Sequence, residues 1–308
     1  MKIIRGLKNI NKIIGPSTVT IGNFDGFHKG HQKLVNEVIK TAKQKSTLST
    51  IITFEPLPEE YFKIKDFRRL MRLKDKLRMF QNLGLDQVLC INFNSNFSKI
   101  SADAFIEDLL IKKIHAQYLI IGEDFKFGSS RKGDYELLQN YKKMINIIKI
   151  ESLLENQKKI SSTLIRKALT KGLIEEANNM IGRPYSISGR VTQGEKRGRE
   201  LGYPTANIDI YKSYAISGIF LVKVLMENNQ KYHGLASFGN KPTFSGKNTV
   251  LEVYIFNFDE NIYDKNIEII FFKKLRDQIK FENTKNLKDQ MDLDYENALE
   301  IINKKNEL

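Results

Sequence analysis

The segment TIGNFDGFHKGHQKLV, residues 20–35, passes from a β-branched apolar run into a helical pattern across a glycine-rich turn. Gly22 follows the apolar run, and Gly26 and Gly30 lie in the turn and at the start of the helical pattern. A strand that leads through a short turn into a helix is typical of alternating α/β folds. The segment therefore predicts that the first part of the chain is built from strand–helix units.

The first half of the chain repeats this alternation on both sides of the segment. Nearly all-apolar runs predict strands at residues 18–21, 48–54, 86–93, 118–121 and 145–150. Apolar residues at three- and four-residue spacing predict helices at residues 33–43, 73–83, 102–114 and 135–142. Apolar strands that alternate with helices indicate a parallel sheet covered on both faces. In such sheets ligands bind beyond the carboxyl ends of the strands, which is where the glycine-rich turn lies.

The second half has a different pattern of predicted secondary structure. Strand-like runs follow one another without intervening helices at residues 185–191, 219–226, 232–237, 250–256 and 267–272. MENNQK, residues 226–231, is typical of a hairpin tip, and a helical pattern closes the chain. Successive strands of this kind predict an antiparallel barrel or sandwich. We place the predicted boundary so that the domains are residues 1–182 and 183–308.

Composition narrows the class of protein. The 308 residues contain one cysteine, Cys90, which excludes an internal disulfide and predicts a buried small side chain in a reducing compartment. No apolar run approaches about 18 residues, and the first residues lack the features of a signal peptide, so we expect a cytoplasmic protein without a membrane span. The formal charge of +14 fits either a solvated basic surface or the binding of nucleic acid or phosphorylated molecules.

Two of the four histidines, His28 and His31, lie in the glycine-rich turn. Glycines let backbone N–H groups approach an anion, and a helix N-terminus adds a partial positive charge. Imidazoles facing the same space can donate hydrogen bonds to phosphate oxygens. The alternative is a routine turn with solvated histidines, and the turn alone does not decide between the two.

Two further stretches bear on this choice. ISSTLIR, residues 160–166, places three hydroxyls at a helix start and a cation one turn later, which suits either a clamp on triphosphate oxygens or a routine N-cap with a surface charge. GEDFKFG, residues 122–128, follows a predicted strand and so lies on the ligand-bearing edge. We expect Phe125 and Phe127 of this stretch to pack into the core.

The second half contains a glycine-flanked basic loop followed by an oxygen-bearing segment. Gly194 and Gly198 flank Lys196, and the loop could fold over a polyphosphate. Thr205 and Asn207 are two residues apart, so on an extended segment they point the same way and offer hard oxygen ligands for Mg²⁺. The residue types alone favour the alternative, a β-hairpin with a charged tip and a proline-led turn.

Four motifs of the first half occur in the order and spacing of the bacterial bifunctional riboflavin kinase/FAD synthetase family: GNFDGFHKGH, TFEPLP, GEDFKFG with RKGD, and ISSTLIRKAL. The resemblance implies that His28 and His31 hold ATP phosphates during adenylyl transfer. It assigns ATP binding to Gly22, Phe24, Gly30, Asp124, Ser161, Ser162, Thr163 and Arg166. Leu57 departs from the family, in which a polar residue often stands between the prolines.

The stretch GRVTQGEKRGRELGYPTANI, residues 189–208, resembles the riboflavin kinase motif of the same family at nearly every fixed position. The resemblance assigns kinase ATP binding to Gly194, Lys196, Gly198, Thr205 and Asn207. It implies that Thr205 and Asn207 bind Mg²⁺, that Glu252 is the catalytic base and that Arg276 lies in the element that closes over flavin. Ser237 and Phe238 replace Asn and Ile of a further family motif.

The resemblance extends from about residue 22 to 294 and implies both fold and function. The expected architecture is a Rossmann-like HxGH nucleotidyltransferase domain, followed by an antiparallel Greek-key β-barrel with a C-terminal helix. The expected reactions convert riboflavin and ATP to FMN, and FMN and ATP to FAD, with Mg²⁺ and without a nucleic-acid or membrane partner. Two alternatives stay open: an enzyme with one site decayed, and a basic RNA-binding protein. The sequence gives no basis for an oligomeric state.

Overall fold

The structure is a computed structural model that describes residues 1–13, 15–155, 158–194, 198, 201–210, 214–240 and 249–304. The chain forms two compact units. One contains residues 1–67 and 73–161, and the other contains residues 68–72 and 162–308.

The first unit alternates strands and helices as the sequence predicts. Its strands are β1 (Lys2–Arg5), β2 (Ser17–Ile21), β3 (Leu48–Phe54), β4 (Gln87–Ile91), β5 (Ala116–Gly122) and β6 (Asn146–Ile150), followed by the short pair β7 (Leu154–Glu155) and β8 (Lys158–Lys159). Its helices are α1 (Lys29–Gln44), α2 (Pro58–Tyr61), α3 (Leu73–Asn82), α4 (Ser95–Ser98), α5 (Ala102–Ala104) and α6 (Tyr135–Gln139). Short 3-10 turns occupy Leu7–Lys12 and Ser129–Arg131, and α5 continues as a π-helix over Phe105–Lys113.

Six parallel strands form the sheet of this unit in the order β1-β4-β3-β2-β5-β6. The parallel sheet that the sequence predicted is confirmed, and β1 adds an edge strand that the apolar pattern did not reveal. β2 has β3 on one side and β5 on the other, so the strand order reverses beside it. The loop after β2 therefore leaves the sheet at the switch point where open α/β sheets bind ligands.

Local sequence explains how the helices cover this sheet. α1 buries Val35, Val38 and Ala42 at helical spacing. The predicted helix at residues 102–114 is present, although most of it is wound more widely, and the Ile114 amide donates to the Leu109 carbonyl. Cys90 is a buried free cysteine, as predicted.

The second unit begins with two helices and continues as a barrel. Its elements are α7 (Ser162–Thr170), α8 (Ile174–Ile181), β9 (Ser186–Thr192), β10 (Thr205–Ile208), β11 (Gly218–Leu225), β12 (Lys231–Asn240), β13 (Thr249–Ile255), β14 (Asn266–Arg276) and α9 (Thr284–Lys304). All six strands pair antiparallel and close in the order β10-β13-β12-β11-β14-β9. Because β11, β12 and β13 are consecutive and β10 lies beside β13, the connection is a Greek key, as predicted.

The hairpin tip predicted at residues 226–231 joins β11 to β12. The Met226 amide donates to the Gln230 carbonyl at 2.9 Å. Asn229 takes a left-handed backbone with φ of 66°, a conformation that asparagine tolerates better than most residues.

The core of the second unit joins the barrel to α7 and α8. Ile165, Leu169 and Ile181 belong to the same buried cluster as the barrel residues Phe220 and Phe271. α8 ends at Gly182, which has a left-handed φ of 81°. The predicted boundary at residue 182 therefore follows a helix that packs within the barrel unit, and it stays a prediction about the functional domains.

The last helix covers one outer face of the barrel. Ala298 of α9 is fully buried in a cluster with Leu221, Leu235 and Phe256. Among the described residues, no helix is long and apolar enough to cross a membrane.

Candidate active sites

His28 and His31 lie together at the N-terminus of α1. His28 is the N-cap residue, and its Nδ1 accepts a hydrogen bond from the His31 backbone N–H at 3.3 Å. The two rings stack with centroids 3.6 Å apart and planes 19° apart. Because Nδ1 of His28 acts as an acceptor, the neutral imidazole carries its proton on Nε2, where it can serve as a donor. The pair joins two imidazoles to the positive end of a helix.

Gly22, Phe24 and Gly30 shape the loop around this pair. A Cβ at Gly30 would lie 3.2 Å from the His28 ring, and a Cβ at Gly22 would lie 3.3 Å from the Phe24 ring. Phe24 is buried with a left-handed φ of 49°, and its ring meets the His31 ring edge-on at 5.2 Å. The glycines therefore leave room for the aromatic and imidazole rings, which support one another.

The same loop is linked to α2, which begins at Pro58, the last residue of the TFEPLP motif. The Asn23 side-chain amide donates to both carboxylate oxygens of Glu59, at 3.0 and 2.9 Å. Leu57, where the sequence departs from the family, is buried with 1% of its surface exposed. The leucine is thus part of the core in this chain. Sequence reasoning did not identify Asn23 or Glu59, since a strand-end amide and a surface-helix carboxylate carry no spacing signal.

The loop after β5 carries the predicted residue Asp124. Asp124 forms an ion pair with Lys159 of β8. Hydrogen bonds from Ser152 lower the pKa of the neighbouring Glu123. Phe125 and Phe127 stack at 5.3 Å; Phe127 is buried in the core of the first unit, as predicted, and the partly buried Phe125 packs against that core.

The ISSTLIR element spans the division between the two compact units. Ser161 belongs to the first unit, whereas Ser162, Thr163 and Arg166 belong to the second. Ser161 directly precedes α7, and Ser162 is its first residue. Arg166 donates from Nε to the Arg68 backbone carbonyl at 2.7 Å, so its guanidinium is anchored within the second unit.

In the barrel, the predicted magnesium ligands and the predicted base occupy neighbouring strands. Thr205 and Asn207 lie on β10, and Glu252 lies on β13 directly opposite Asn207. Residues two apart on a strand share a face, and directly opposed residues have Cβ atoms about 5 Å apart. The three half-buried side chains therefore lie on the same face of the barrel wall, whose other face carries the buried Val253.

The glycines of the kinase motif lie against these side chains. A Cβ at Gly194 would lie 2.0 Å from the Asn207 amide nitrogen. A Cβ at Gly198 would lie 2.4 Å from the Tyr203 carbonyl oxygen and 3.4 Å from the Thr205 hydroxyl. Gly198 requires glycine because its neighbour is backbone, whereas a side chain at Gly194 would displace the Asn207 amide. Lys196, the basic residue predicted between them, lies outside the described residues.

The two departures on β12 differ in consequence. Phe238 is fully buried and meets the Tyr214 ring edge-on at 6.2 Å, so it belongs to the barrel interior. Ser237 lies opposite Glu252 in the strand register and accepts a hydrogen bond from Gln278 at 3.3 Å. Only the serine replaces the family residue on the face that carries the candidate base.

Arg276, the predicted flavin-site arginine at the end of β14, is held by α9. Its Nε and terminal amino group donate to the Asp294 carboxylate at 2.8 and 2.6 Å, and Gln290 donates to the same carboxylate at 3.1 Å. The Arg276 guanidinium lies 5.9 Å from the Phe281 ring centroid. Sequence reasoning missed Asp294 because pairing between distant elements leaves no local pattern.

A tyrosine cluster lies beside the oxygen-bearing face. The Tyr203 and Tyr254 rings meet edge-on at 5.0 Å, and the Tyr203 hydroxyl is hydrogen-bonded to Asp292 of α9. Burial and then the Asp292 carboxylate raise the pKa of Tyr203 above its ordinary range, and burial raises the pKa of Tyr254. The tyrosines thus stay protonated and connect the last helix to the β10–β13 face.

Two family models match the chain in succession. The FAD synthetase model matches residues 10–164, and the riboflavin kinase model matches residues 181–302. A bifunctional riboflavin kinase/FMN adenylyltransferase of Buchnera aphidicola subsp. Schizaphis graminum is 44% identical over 98% of this chain and 99% of the relative. The protein of that name from Escherichia coli K12 is 35% identical over 98% of each chain.

A solved structure shares the fold. A crystal structure of a Streptococcus pneumoniae protein, described as a macrolide-efflux protein, superposes with a TM-score of 0.80 at 31% identity and covers 96% of this chain and 98% of its own. The RNA-binding and single-activity alternatives find no support in these matches. With both family models in the expected order and relatives aligned over almost the whole length, the chain belongs to the bifunctional riboflavin kinase/FMN adenylyltransferase family.

Proposed function

We propose that this chain carries out two successive reactions of flavin cofactor synthesis. The 183–308 domain phosphorylates riboflavin with ATP to give FMN and ADP. The 1–182 domain transfers the adenylyl group of a second ATP to FMN, giving FAD and pyrophosphate. The observation that carries the proposal is the match of both family models, in this order, within one chain.

In adenylyl transfer, an oxygen of the FMN phosphate attacks the α-phosphorus of ATP, and the bond to pyrophosphate breaks. His28 and His31 are proposed to donate to phosphate oxygens and to stabilise the charge that develops there. Their stacked placement at the α1 N-terminus supports this role. The proposed step needs no protein nucleophile, so the chain contributes positioning and charge stabilisation.

Further ATP contacts are proposed from the family resemblance. The backbone at Gly22 and Gly30 is proposed to admit the triphosphate, with Phe24 supporting the loop. Asp124, Ser161, Ser162, Thr163 and Arg166 complete the proposed set.

In the kinase reaction, Glu252 is proposed to accept the proton of the ribityl 5′-hydroxyl as that oxygen attacks the γ-phosphorus and ADP leaves. Glu252 lies beside Asn207 in the strand register, and this placement supports a role next to the phosphate-binding face. Gly194, Lys196 and Gly198 are proposed to lie along the ATP phosphates. Arg276 is proposed to lie at the flavin.

The donor set on β10 fits a magnesium ion. The Thr205 hydroxyl and the Asn207 amide oxygen are the hard oxygen ligands that Mg²⁺ prefers, and they share one face. When bound, the ion would offset negative charge on the phosphates. The backbone at Gly194 lies so close to Asn207 that a side chain at residue 194 would occupy the space of the Asn207 amide. This crowding supports a role for the Asn207 amide in binding.

The proposed partners are small molecules: ATP, riboflavin, FMN and FAD. We propose that the reactions take place in the cytoplasm. We assign no nucleic-acid ligand, and we therefore attribute the net positive charge to a solvated surface.

The test is incubation of the purified full chain with riboflavin, ATP and Mg²⁺, followed by chromatography of the flavins. FMN should accumulate first and FAD later, and supplied FMN should give FAD directly. If neither product formed, the proposal would fail. FMN without FAD, or FAD only from supplied FMN, would reduce it to a single activity.

A further inference from the structure

Lys76 of α3 is buried beneath the loop that carries the histidine pair, with 2% of its surface exposed. Its ammonium donates to the backbone carbonyl of Asn23 at 2.7 Å and to the Thr53 hydroxyl at 3.1 Å. Burial disfavours a charged amine, and buried lysines are therefore rare and have polar partners. Lys76 thus ties α3 to the carboxyl ends of β2 and β3, where the loop begins.

The loop needs such support because two of its aromatic residues have unusual backbones. Phe24 and Phe27 have left-handed φ values of 49° and 40°, which bulky residues rarely adopt. Such conformations cost about 1–3 kcal/mol each and persist where the surroundings hold them in place. Phe80, one turn after Lys76 on α3, meets both rings edge-on, at 5.7 and 5.2 Å. One face of α3 therefore fixes the loop through its backbone and through its rings.

A continuous set of contacts leads from Lys76 to the proposed phosphate site. Asn23, whose carbonyl Lys76 binds, directly precedes Phe24, and the Phe24 ring contacts His31. His31 in turn stacks on His28. The Thr53 hydroxyl also donates to the Asn23 carbonyl, at 3.4 Å, which makes the lysine bond the shorter of the two.

We propose that Lys76 is a positioning residue for adenylyl transfer, acting through Asn23 and Phe24 to hold His31 and the glycine loop in place. The inference rests on the proposed function of the first half and adds a residue that does not itself touch substrate. Displacement of a reacting group by about 1 Å can cost on the order of 10²-fold in rate, so loss of this tie should lower the rate of chemistry.

Gln87→Met is a matched control for Lys76→Met. Gln87 is also 2% exposed in the first unit, and its amide donates to the Ser17 and Thr50 hydroxyls at 3.3 and 3.0 Å. Gln87 begins β4, at the end of the sheet opposite to the loops. Both substitutions replace a long buried polar side chain by methionine and leave oxygen acceptors without this donor, but only Lys76 lies under the loop.

Full-length parent, Lys76→Met and Gln87→Met are compared in FAD formation from supplied FMN, well below their melting temperatures. Lys76→Met should lower kcat about 10- to 100-fold at saturating ATP and FMN while riboflavin phosphorylation stays at the parental rate. Gln87→Met should keep kcat near the parental value even where it melts earlier. Equal loss in both variants, or an unchanged kcat in Lys76→Met, overturns the inference.

Amide hydrogen exchange supplies a readout that is independent of activity. Peptides covering residues 22–31 should exchange faster in Lys76→Met than in the parent and Gln87→Met, and unchanged exchange there also overturns the inference. If Lys76→Met does not yield folded protein, Lys76→Gln takes its place, because the glutamine amide is still a hydrogen-bond donor. The same assays and the same outcomes then decide the inference. A parent that forms no FAD defeats the proposed function, whereas an active parent with a normal Lys76 variant defeats only this inference.

Discussion

Asn207 and Glu252 are directly opposed on neighbouring antiparallel strands, with Asn207 on β10 and Glu252 on β13. Forty-four residues, 208–251, lie between them in the sequence, and the closure of the barrel brings them together. The pairing places an amide that suits a magnesium ion next to a carboxylate that suits a proton acceptor.

Glu252→Gln should lower kcat of riboflavin phosphorylation about 10²- to 10⁴-fold, because the amide cannot accept the hydroxyl proton. FAD formation from supplied FMN should be unchanged. Glu268→Gln is the matched control, since Glu268 is another barrel carboxylate and accepts a hydrogen bond from Ser186 at 2.6 Å. Steady-state assays of both reactions decide the matter, and a near-normal kinase rate in Glu252→Gln would contradict the assignment.

Gly194→Ala should raise KM for ATP in the kinase reaction, by about tenfold or more, since the added Cβ would lie 2.0 Å from the Asn207 amide and displace it. Gly189→Ala, a substitution within β9, provides the comparison, because its Cβ would lie 2.3 Å from the Ile208 side chain instead. We expect Gly189→Ala to lower the melting temperature while KM for ATP changes little. The same KM in the parent and Gly194→Ala would argue against phosphate binding at this glycine.

His31→Ala should lower FAD formation about 10²- to 10³-fold, the usual cost of losing one well-aimed donor, and spare FMN formation. Loss of FMN formation with FAD synthesis intact would reverse the assignment of the two halves.

Two substitutions at His28 should distinguish its role as the N-cap of α1 from its proposed role in adenylyl transfer. Both His28→Ala and His28→Asn should impair FAD formation. Only His28→Ala should cost about 1 kcal/mol of stability, because asparagine can replace the Nδ1 acceptor that caps α1. Chemical denaturation of the two variants beside the activity assay tests this, and full activity in His28→Asn would assign His28 to the cap alone.

The Tyr203–Asp292 contact predicts a dependence of stability on alkaline pH. Burial and then Asp292 raise the pKa of Tyr203 in the folded state above the unfolded value of about 10. The protonated phenol thus stabilises the fold fully below about pH 10, and this contribution is lost as pH rises through the folded pKa. Tyr141 and Tyr254 also have raised pKa values, so spectrophotometric titration should show several tyrosines ionising late, and Tyr203→Phe should reduce the amplitude of that late phase by one tyrosine. An unchanged titration curve would contradict the prediction.

The helices α7 and α8 should decide whether the barrel is stable when isolated. Ile165, Leu169 and Ile181 are buried against barrel residues, so a piece that starts at residue 183 exposes the surface they cover. If that exposure costs about 3 kcal/mol, the melting temperature of residues 183–308 should lie roughly 10 °C below that of residues 162–308. Both pieces should phosphorylate riboflavin where folded. Equal melting temperatures in calorimetry would show that the helices are dispensable.

The sequence predicted the elements and their class because these depend on local patterns. The glycine turn after β2 and the spacing of apolar residues indicated a parallel sheet, and the successive strands of the second half indicated the barrel. The strands at 48–54 and 267–272, for example, could be predicted because the apolar pattern of each lies within a few consecutive residues. The edge strand β1 was missed because four residues with one buried side chain give too short a pattern.

The candidate site residues were readable where they stand close together in sequence, as His28 and His31 do, or where a resemblance named them. Their partners were not readable. Asp294 beside Arg276, Glu59 beside Asn23 and Lys76 beneath the loop are contacts between elements far apart in the chain. Likewise, only the folded core shows that α7 and α8 pack with the barrel. Local periodicity determines what each segment becomes, whereas strand order and long-range packing determine which side chains meet.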